Sequence, residues 1–256
     1  MKKEASRQGE SVIFEGMTSI NAVLKASAEN NPRRIVKVFF DKSKTQTKRR
    51  ELAFLRRAAL DHSFEIVLAD KDYIDSVAVG TSHGGIIAEC TERAIPRLTA
   101  ESEIKKNGFY VMLEGIEDPY NFGYALRTLY AAGVSGIILP ERNWSSAAGV
   151  VCRSSAGASE LLPAYVSTPL EACAIFKDKC YTVVSAGIRD SVSVFDAELK
   201  YPVFLIVGGE KRGISSAVLD KSDVVVRIDY GREFNGSLSA ASAASVLAYE
   251  IFRQNR

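Results

Sequence analysis

The chain has 256 residues, of which 46% are hydrophobic and 25% charged, and a formal net charge of +2. This composition is typical of a globular protein of one large or two modest domains. Neither a long apolar run nor an apolar segment after the N-terminal lysines occurs, so the sequence indicates no membrane span and no secretory signal and predicts a cytoplasmic protein.

The cysteines and histidines exclude several kinds of chemistry. The chain has only two histidines, His62 and His83, and its four cysteines show no C-x-x-C spacing. We therefore predict reduced structural thiols and no metal site. Catalysis by a Ser-His-Asp or Cys-His group is also poorly supported, because each needs a histidine beside its nucleophile. The cysteines are Cys90, Cys152, Cys173 and Cys180.

The first third of the chain alternates helical and strand patterns. In order, the segments are INAVLKASAEN (helix), VKVFF (strand), TKRRELAFLRRAAL (helix), FEIVLA (strand), DKDYIDSVA (helix) and GGIIAEC (strand). They predict a small α/β domain over residues 1–92. Residues 93–107, with a proline and mixed charges but little apolar periodicity, are predicted to form a linker.

Basic residues concentrate within residues 32–57, where ten basic side chains stand against two acidic ones. Such a cluster is able to face the phosphates of a nucleic acid, and it is equally able to be a solvated helix face. Charge alone does not distinguish the two. The candidate RNA contacts are Lys48, Arg49, Arg50, Arg56 and Arg57.

From residue 108 to 256 the pattern predicts a second domain. FYVMLEGI, a turn, a helix and VSGIILP make a βαβ unit, and further strands are predicted at YTVVSAG, VFLIVGG and DVVVRI. Helices are predicted around residues 170–176 and 215–221 and in SLSAASAASVLAYEIFRQ. General topology rules predict an unknotted parallel sheet, covered on both faces, with ligand groups at the carboxyl ends of its strands.

The first glycine-containing turn opens the stretch DPYNFGYALRTLYAAG, residues 118–133. Asn121 is predicted as an N-cap or turn residue, and Gly123 lies one helical turn before Arg127, leaving backbone exposed beside the guanidinium. From spacing alone, a salt-bridged helix arginine is the commoner explanation of Arg127. A separate apolar stripe is predicted to face the sheet, formed by Phe122, Ala125, Leu126 and Leu129.

Two more turns follow predicted strands. VGGEKRGIS matches neither G-x-G-x-x-G nor G-x-x-x-x-G-K-[ST], so phosphate binding of the NAD or ATP type is weakly supported, as is a different α/β nucleotide-binding enzyme. The third, IDYGREFNGSLSAASAASVLAYE, precedes a helix so rich in Ala and Ser that another element must pack closely on it. Each turn alone indicates only a turn.

Taken together and in order, the motifs N-x-G-x-x-x-R-T with A-A-G, G-x-E-x-x-G, and S-L before the Ala/Ser helix resemble the SpoU (TrmH-like) branch of the SPOUT RNA ribose 2′-O-methyltransferases. The resemblance covers residues 109–253 and includes CRSSAGASELLP. The leading unit, from FEGMTSINAVL to SHGGIIAEC, is similar to the ribosomal-protein-like substrate-binding domain of members that modify large-subunit ribosomal RNA.

This resemblance implies an α/β fold whose parallel SPOUT sheet carries a deep trefoil knot, with S-adenosylmethionine bound in the knotted loops. It implies methyl transfer to a ribose 2′-hydroxyl of RNA, with ribosomal RNA favoured over tRNA, and a homodimer whose active site lies near the subunit interface. Arg127 matches the central catalytic residue and Asn121 lies beside it, while Glu210 and Ser237 match polar active-site positions. The residues that match cofactor contacts are Ser185, Ala186, Gly187, Gly208, Gly209, Gly213, Ile228 and Leu238.

The third motif departs from the family pattern I-P-M followed by S-L-N. Here the chain reads Ile228-Asp229-Tyr230 and Ser237-Leu238-Ser239, with one extra residue between. The departure removes an asparagine near the reacting ribose, and Asn235 in the lengthened loop is a candidate to replace it. An RNA-binding module of the same fold without methyl transfer is therefore the alternative.

Overall fold

The structure is a computed structural model that describes residues 12–28, 33–141, 147–209 and 213–256. Contacts divide the chain into two compact units. Among the described residues, the first unit comprises those up to Ala94 together with residues 147–161. The second unit comprises residues 95–141 together with residues 162–256.

The first unit holds a four-stranded sheet in the order β1-β4-β2-β3. β4 pairs antiparallel with β1 and β2, and β2 pairs parallel with β3. Its elements are β1 (Val12–Glu15), α1 (Gly16–Ala28), β2 (Ile35–Asp41), a 3₁₀ turn (Lys42–Lys44), α2 (Arg49–His62), β3 (Glu65–Ala69), α3 (Lys71–Val77), β4 (Ile86–Cys90), α5 (Ala148–Ser154) and α6 (Ala158–Leu161).

Two ion pairs bind the returning segment within this unit. Arg153 on α5 contacts Glu15 at 2.5 Å, and Glu160 on α6 contacts Arg33 at 2.9 Å with both side chains almost fully buried. Gly149 on α5 lies so near β1 that a Cβ there would be 2.0 Å from the carbonyl oxygen of Ile13. The segment therefore groups with the first unit, whereas the predicted division at residues 93–107 placed it in the second domain.

The second unit holds a seven-stranded sheet in the order β7-β6-β5-β10-β8-β11-β9, and all its strand pairs are parallel. Its elements are β5 (Phe109–Leu113), α4 (Pro119–Ala131), β6 (Gly136–Leu139), β7 (Ala164–Val166), α7 (Pro169–Asp178), β8 (Thr182–Ala186), β9 (Val192–Ser193), β10 (Val203–Val207), α8 (Ser216–Leu219), β11 (Val224–Arg227) and α9 (Ala240–Asn255).

Every residue of β5 and β10 is buried, which confirms that helices cover both faces of the sheet. α7 packs on one face through Cys173 and Phe176, which join Tyr110 and Phe204 in one cluster. α9 packs on β10 and is itself packed by α4. β10 enters between β5 and β8, although both of those strands precede it in the chain. The knot that the resemblance implies stays a prediction.

The long predicted elements are confirmed, and several short ones were missed. The strands β1, β7 and β9 and the helices α5 and α6 have no counterpart in the sequence-based prediction, because segments of two to seven residues carry too little periodicity. Within the described residues, no helix combines the length and apolar character that crossing a membrane requires.

All four cysteines are free, and three of them are buried while Cys180 is exposed. Burial raises the pKa of the Cys90 thiol to about 12 and raises the pKa of the Cys152 thiol as well. Neither thiol is therefore ionised near neutral pH, which suits a packing role rather than a nucleophilic one.

Candidate functional site

A cavity of about 640 Å³ opens at the carboxyl ends of three neighbouring strands, β10, β8 and β11. The chain leaves each strand through residues that line the cavity: residues 187–189 after β8, Gly208, Gly209 and Gly213 after β10, and residues of the segment 228–238 after β11. Because these strands are parallel and adjacent, their turns meet at one edge of the sheet. The volume suits a ligand of the size of a nucleoside cofactor.

Close backbone approach shapes the turn after β10. A Cβ at Gly208 would lie 2.5 Å from the carbonyl carbon of Gly213, and a Cβ at Gly209 would lie 2.8 Å from the carbonyl oxygen of Gly115. Gly213 has a φ of +60° and donates its N–H to the carbonyl of Gly209 at 2.9 Å. The glycines are therefore required by the shape of the turn, and they present backbone to the cavity.

The cavity wall is mainly apolar, and its rim carries an ion pair between Arg227 and Asp229. Arg227 contacts Asp229 at 2.8 Å and also donates to the carbonyl of Ser191 at 2.6 Å. Hydrogen bonds from Ser193 and then from Arg227 hold the pKa of Asp229 below its usual range. Asp229 therefore stays ionised and can accept hydrogen bonds from ligand hydroxyls. Apolar side chains of the wall are Ile188, Val207, Ile214, Leu219, Val226 and Leu247.

Most of the residues proposed as cofactor contacts line this cavity. Ser185 does not, since it is fully buried and its hydroxyl lies 2.7 Å from that of Ser222. Glu210 lies outside the described residues. The N–H of Leu238 donates to the hydroxyl of Tyr230 at 3.2 Å. The predicted cofactor contacts that line the cavity are Ala186, Gly187, Gly208, Gly209, Gly213, Ile228 and Leu238, and Ser237, predicted as a polar active-site residue, lines it as well.

The helix that carries Arg127 begins one turn earlier than predicted. Asp118 is the N-cap of α4, Pro119 occupies its first turn, and the Asp118 carboxylate accepts the N–H of Asn121 at 2.7 Å. The prediction of Asn121 as N-cap was wrong, because proline favours the first helical position and leaves Asp118 as the cap. The side chain of Asn121 remains exposed.

Arg127 is exposed on α4 and forms no ion pair with any residue that the structure describes. A structural salt bridge, the commoner explanation from spacing alone, therefore has no support in the described chain. Arg127 and Asn121 do not line the cavity of the same chain. Gly123 is buried, so the prediction that it exposes backbone beside Arg127 was wrong, whereas the apolar stripe from Phe122 to Leu129 is buried as predicted.

Aromatic side chains are exposed on α4 and α9, two helices that pack against each other. Tyr120, Tyr124 and Arg127 are spaced four and three residues apart, so they share one face of α4. Tyr249 and Phe252 of α9 contact each other, with ring centroids 6.2 Å apart. Exposed aromatic side chains on packed helices are typical of a protein interface.

The basic residues of α2 lie on its solvent face, opposite Leu52 and Leu55. Lys48 occupies the N-cap position without a capping hydrogen bond from its side chain, and Arg57 forms a long ion pair with Asp61 at 3.4 Å. An exposed Phe54 lies among these cations. Three of the arginines form no ion pair within the part of the chain that the structure describes: Arg49, Arg50 and Arg56.

The model of the SpoU rRNA Methylase family matches residues 108–249, more than half of the chain. The chain belongs to the SpoU rRNA methylase family. A relative from Shewanella oneidensis, named 23S rRNA (guanosine-2′-O-)-methyltransferase RlmB, is 28% identical over 252 residues, which cover 96% of this chain and 98% of that protein.

Solved structures confirm the α/β fold with its parallel sheet. The AdoMet-bound rRNA methyltransferase from Sinorhizobium meliloti superposes with a TM-score of 0.79 at 20% identity, over 95% of this chain and 87% of that one. The SpoU methyltransferase AviRb from Streptomyces viridochromogenes, in complex with AdoMet, has a TM-score of 0.77 at 23% identity, over 95% and 90%. The family-model match over residues 108–249, rather than these structures, confirms the resemblance to the SpoU family.

At the family's asparagine position this SpoU member has a capping residue. Ser239 is the N-cap of α9, and its hydroxyl accepts the N–H of Ser242 at 3.2 Å. Asn235 is exposed and does not line the cavity, so its proposed substitution for the missing amide has no support in the geometry of the described residues.

Sequence reasoning missed several cavity residues and one carboxylate near the second turn. Glu114 directly follows β5 and donates its N–H to the carbonyl of Val207. Its Oε2 is buried without a hydrogen-bond partner in the described chain, and burial raises the pKa of its carboxyl group. Its position at a strand's carboxyl end was the signal that could have identified it. Within the described residues, no cluster of His, Cys, Asp or Glu is able to hold a metal ion.

Proposed function

We propose that this SpoU member transfers a methyl group from S-adenosylmethionine to a ribose 2′-hydroxyl of ribosomal RNA. The observation that carries the proposal is the cavity into which the predicted cofactor turns converge. The RlmB relative, matched over nearly its full length, is named for this reaction on 23S rRNA, and two similar folds hold AdoMet. The cytoplasmic location expected from the sequence belongs to the same proposal.

The residues of the cavity fit S-adenosylmethionine. Apolar walls such as Ile214, Leu219 and Leu247 suit an adenine ring, and the glycine turn at Gly208 and Gly209 brings backbone groups to the ligand without side chains in the way. When bound, the cofactor supplies an activated methyl group on a sulfonium. The chain itself supplies shape, apolar surface and the polar rim.

Arg127 is assigned to positioning and electrostatics. Its guanidinium is permanently charged and exposed, so it can hold an RNA phosphate and stabilise the negative charge that develops on the hydroxyl oxygen. A guanidinium with a pKa above about 12 gives up its proton only at high cost, so Arg127 is not assigned as the general base. Asn121 and Ser237 are assigned to polar contacts with the substrate.

A homodimer completes the site in this proposal. Arg127 shares a helix face with exposed tyrosines, and it does not line the cavity of its own chain. An interface between copies formed by α4 and α9 covers these aromatic side chains and places the active site near the subunit boundary. The basic face of α2 then holds the RNA through its phosphates.

The alternative, an RNA-binding module without methyl transfer, is favoured only by Ser239, whose hydroxyl is used to cap α9. Calorimetry with S-adenosylmethionine separates the two functions, because only the enzyme needs the cofactor. A chain that binds RNA and gives no binding heat with the cofactor is the module.

The decisive variant is Arg127→Ala. We expect it to lower methylation of unmodified ribosomal RNA by about 100-fold or more, as loss of an electrostatic transition-state contact does, while cofactor binding and the dimer mass measured by sedimentation stay unchanged. The matched control is Arg256→Ala, which removes the same charge from an exposed position. Full turnover by Arg127→Ala would refute the assigned role.

A further inference from the structure

Two aromatic rings stand at the mouth of the cavity, in the loop where this chain departs from its family. Tyr230 and Phe234 both line the cavity, and their exposed fractions are 42% and 59%. The rings meet edge to face, with centroids 5.7 Å apart and an interplanar angle of 66°. Adjacent exposed aromatic rings beside a cavity are typical of a ligand-binding groove.

Both rings are held in place by the loop itself. The hydroxyl of Tyr230 accepts the N–H of Leu238, which fixes the first ring against the end of the loop. The second ring lies over the backbone of Gly236, where a Cβ would be 2.6 Å from Cζ of Phe234. The pair is therefore a preorganised surface, and each ring still presents about half of its area to solvent.

Charges around the pair suit a nucleotide. Arg232 lies between the two aromatic residues in sequence, is exposed, and forms no ion pair with the residues that the structure describes. Arg189 lines the same cavity, and its contact with Asp190 is 3.4 Å long with both side chains 90% exposed, so it is free to exchange partners. Rings that can stack, with guanidinium groups able to reach a phosphate, are the features by which proteins hold unpaired RNA.

We propose that Tyr230 and Phe234 form a stacking platform for an unpaired base of the RNA substrate, at or next to the nucleotide whose ribose is methylated. The inference rests on the proposed function, because a ribose presented to this cavity needs its base held outside the duplex. It assigns substrate positioning to the altered third motif. Both rings lie within the lengthened loop of that motif.

The test compares RNA with and without bases. Binding of fluorescein-labelled oligouridine and of an abasic RNA of equal length is measured by anisotropy, at a salt concentration that suppresses phosphate contacts. The wild-type chain is expected to prefer oligouridine on the order of 10-fold, as one stacked base contributes. Phe234→Leu is expected to remove this preference, and the ring-conserving variant Phe234→Trp is expected to keep it.

Two further measurements distinguish failure of the stacking platform from failure of the proposed function. Cofactor affinity measured by calorimetry is expected to be equal in wild type and Phe234→Leu; a variant that loses cofactor affinity and keeps the base preference would show that the ring covers the cofactor, which overturns the platform. Equal base preference in wild type and Phe234→Leu overturns it as well. Failure of the proposed function is distinct, since the wild-type chain would then neither bind the cofactor nor methylate RNA.

Discussion

The cavity of the second unit and the basic face of α2 in the first unit differ in the kind of groups that form them. Glycine backbone packed at contact distance forms the turn after β10 in the cavity, whereas long, exposed side chains with few partners form the basic face. Packed backbone has no room to adjust, but each exposed cation contributes a small and separate share of phosphate affinity. One added methyl group should therefore strongly lower the cofactor affinity of the cavity, whereas each cation removed from the basic face should lower RNA affinity by a small step.

The largest effect is expected from Gly208→Ala. Its Cβ would lie 2.5 Å from the carbonyl carbon of Gly213, and backbone cannot move aside cheaply. Overpacking costs about 1–3 kcal/mol, so cofactor affinity should fall by about 10- to 100-fold. Titration calorimetry measures the loss.

Gly231→Ala is the matched control for that change. It adds the same methyl group in the neighbouring turn, where a Cβ would meet nothing within 4 Å. Equal cofactor affinity in both variants would show that the tight turn does not shape the binding site.

A smaller effect is expected from removing two charges of the basic face. In Arg49→Gln with Arg50→Gln, RNA binding should weaken at low salt. The slope of log K against log salt should fall by about 0.7 for each phosphate of a single-stranded RNA that the variant no longer neutralises. Cofactor affinity should not change, since these residues belong to the other unit.

Exposed lysines outside α2 supply the control for this experiment. Lys105→Gln with Lys106→Gln removes the same net charge. If this pair changes the salt slope as much as the arginine pair does, the basic face acts only through the net charge of the protein and makes no specific RNA contact.

The smallest effect is expected from Glu114→Gln, and it depends on pH. Burial raises the pKa of the Glu114 carboxyl group above its ordinary value of 4.5. The folded state therefore favours the neutral acid, so stability is greatest below that ordinary value and declines as pH rises through the raised pKa. Glu114→Gln removes the decline.

Thermal unfolding between pH 4 and pH 8 measures this difference. Because the side chain is partly exposed, screening by solvent limits the gain in the free energy of unfolding of Glu114→Gln at high pH to about 1 kcal/mol or less. This corresponds to a rise in unfolding temperature of about 2–4 °C at most. Glu198→Gln, an exposed carboxylate, should show no such trend. A Glu114→Gln curve parallel to the wild-type curve at every pH would contradict the buried-charge explanation.

The sequence predicted those elements that have a clear apolar periodicity or composition. The apolar runs of β5 and β10 were found because both strands are buried at every position, and the buried stripe of α4 followed from helical spacing. The cavity glycines were found through an ordered set of motifs, since each turn alone carried little information. The start of α4 was misplaced because Asn121 and Asp118 are both good caps, and only Pro119 decides between them.

Long-range placement could not be predicted in this way. Nothing local in VFLIV indicates that β10 enters between β5 and β8, because strand order is a property of tertiary packing. The grouping of α5 with the first unit comes from contacts such as the Glu15–Arg153 ion pair, whose members lie far apart in sequence. The pairing of Tyr230 and Phe234 at the cavity mouth could not be predicted either, because their contact depends on how the loop folds.

The position of β10 late in the sequence affects how the chain can fold during its synthesis. While it is being synthesised, β5 and β8 emerge first, and each exposes an unpaired edge until Val207 has been added and β10 can bond to both. Pairings over such long separations form slowly, and open strand edges are where newly made chains associate wrongly. A chaperone that shields these edges should therefore raise the yield of folded protein more than faster translation does.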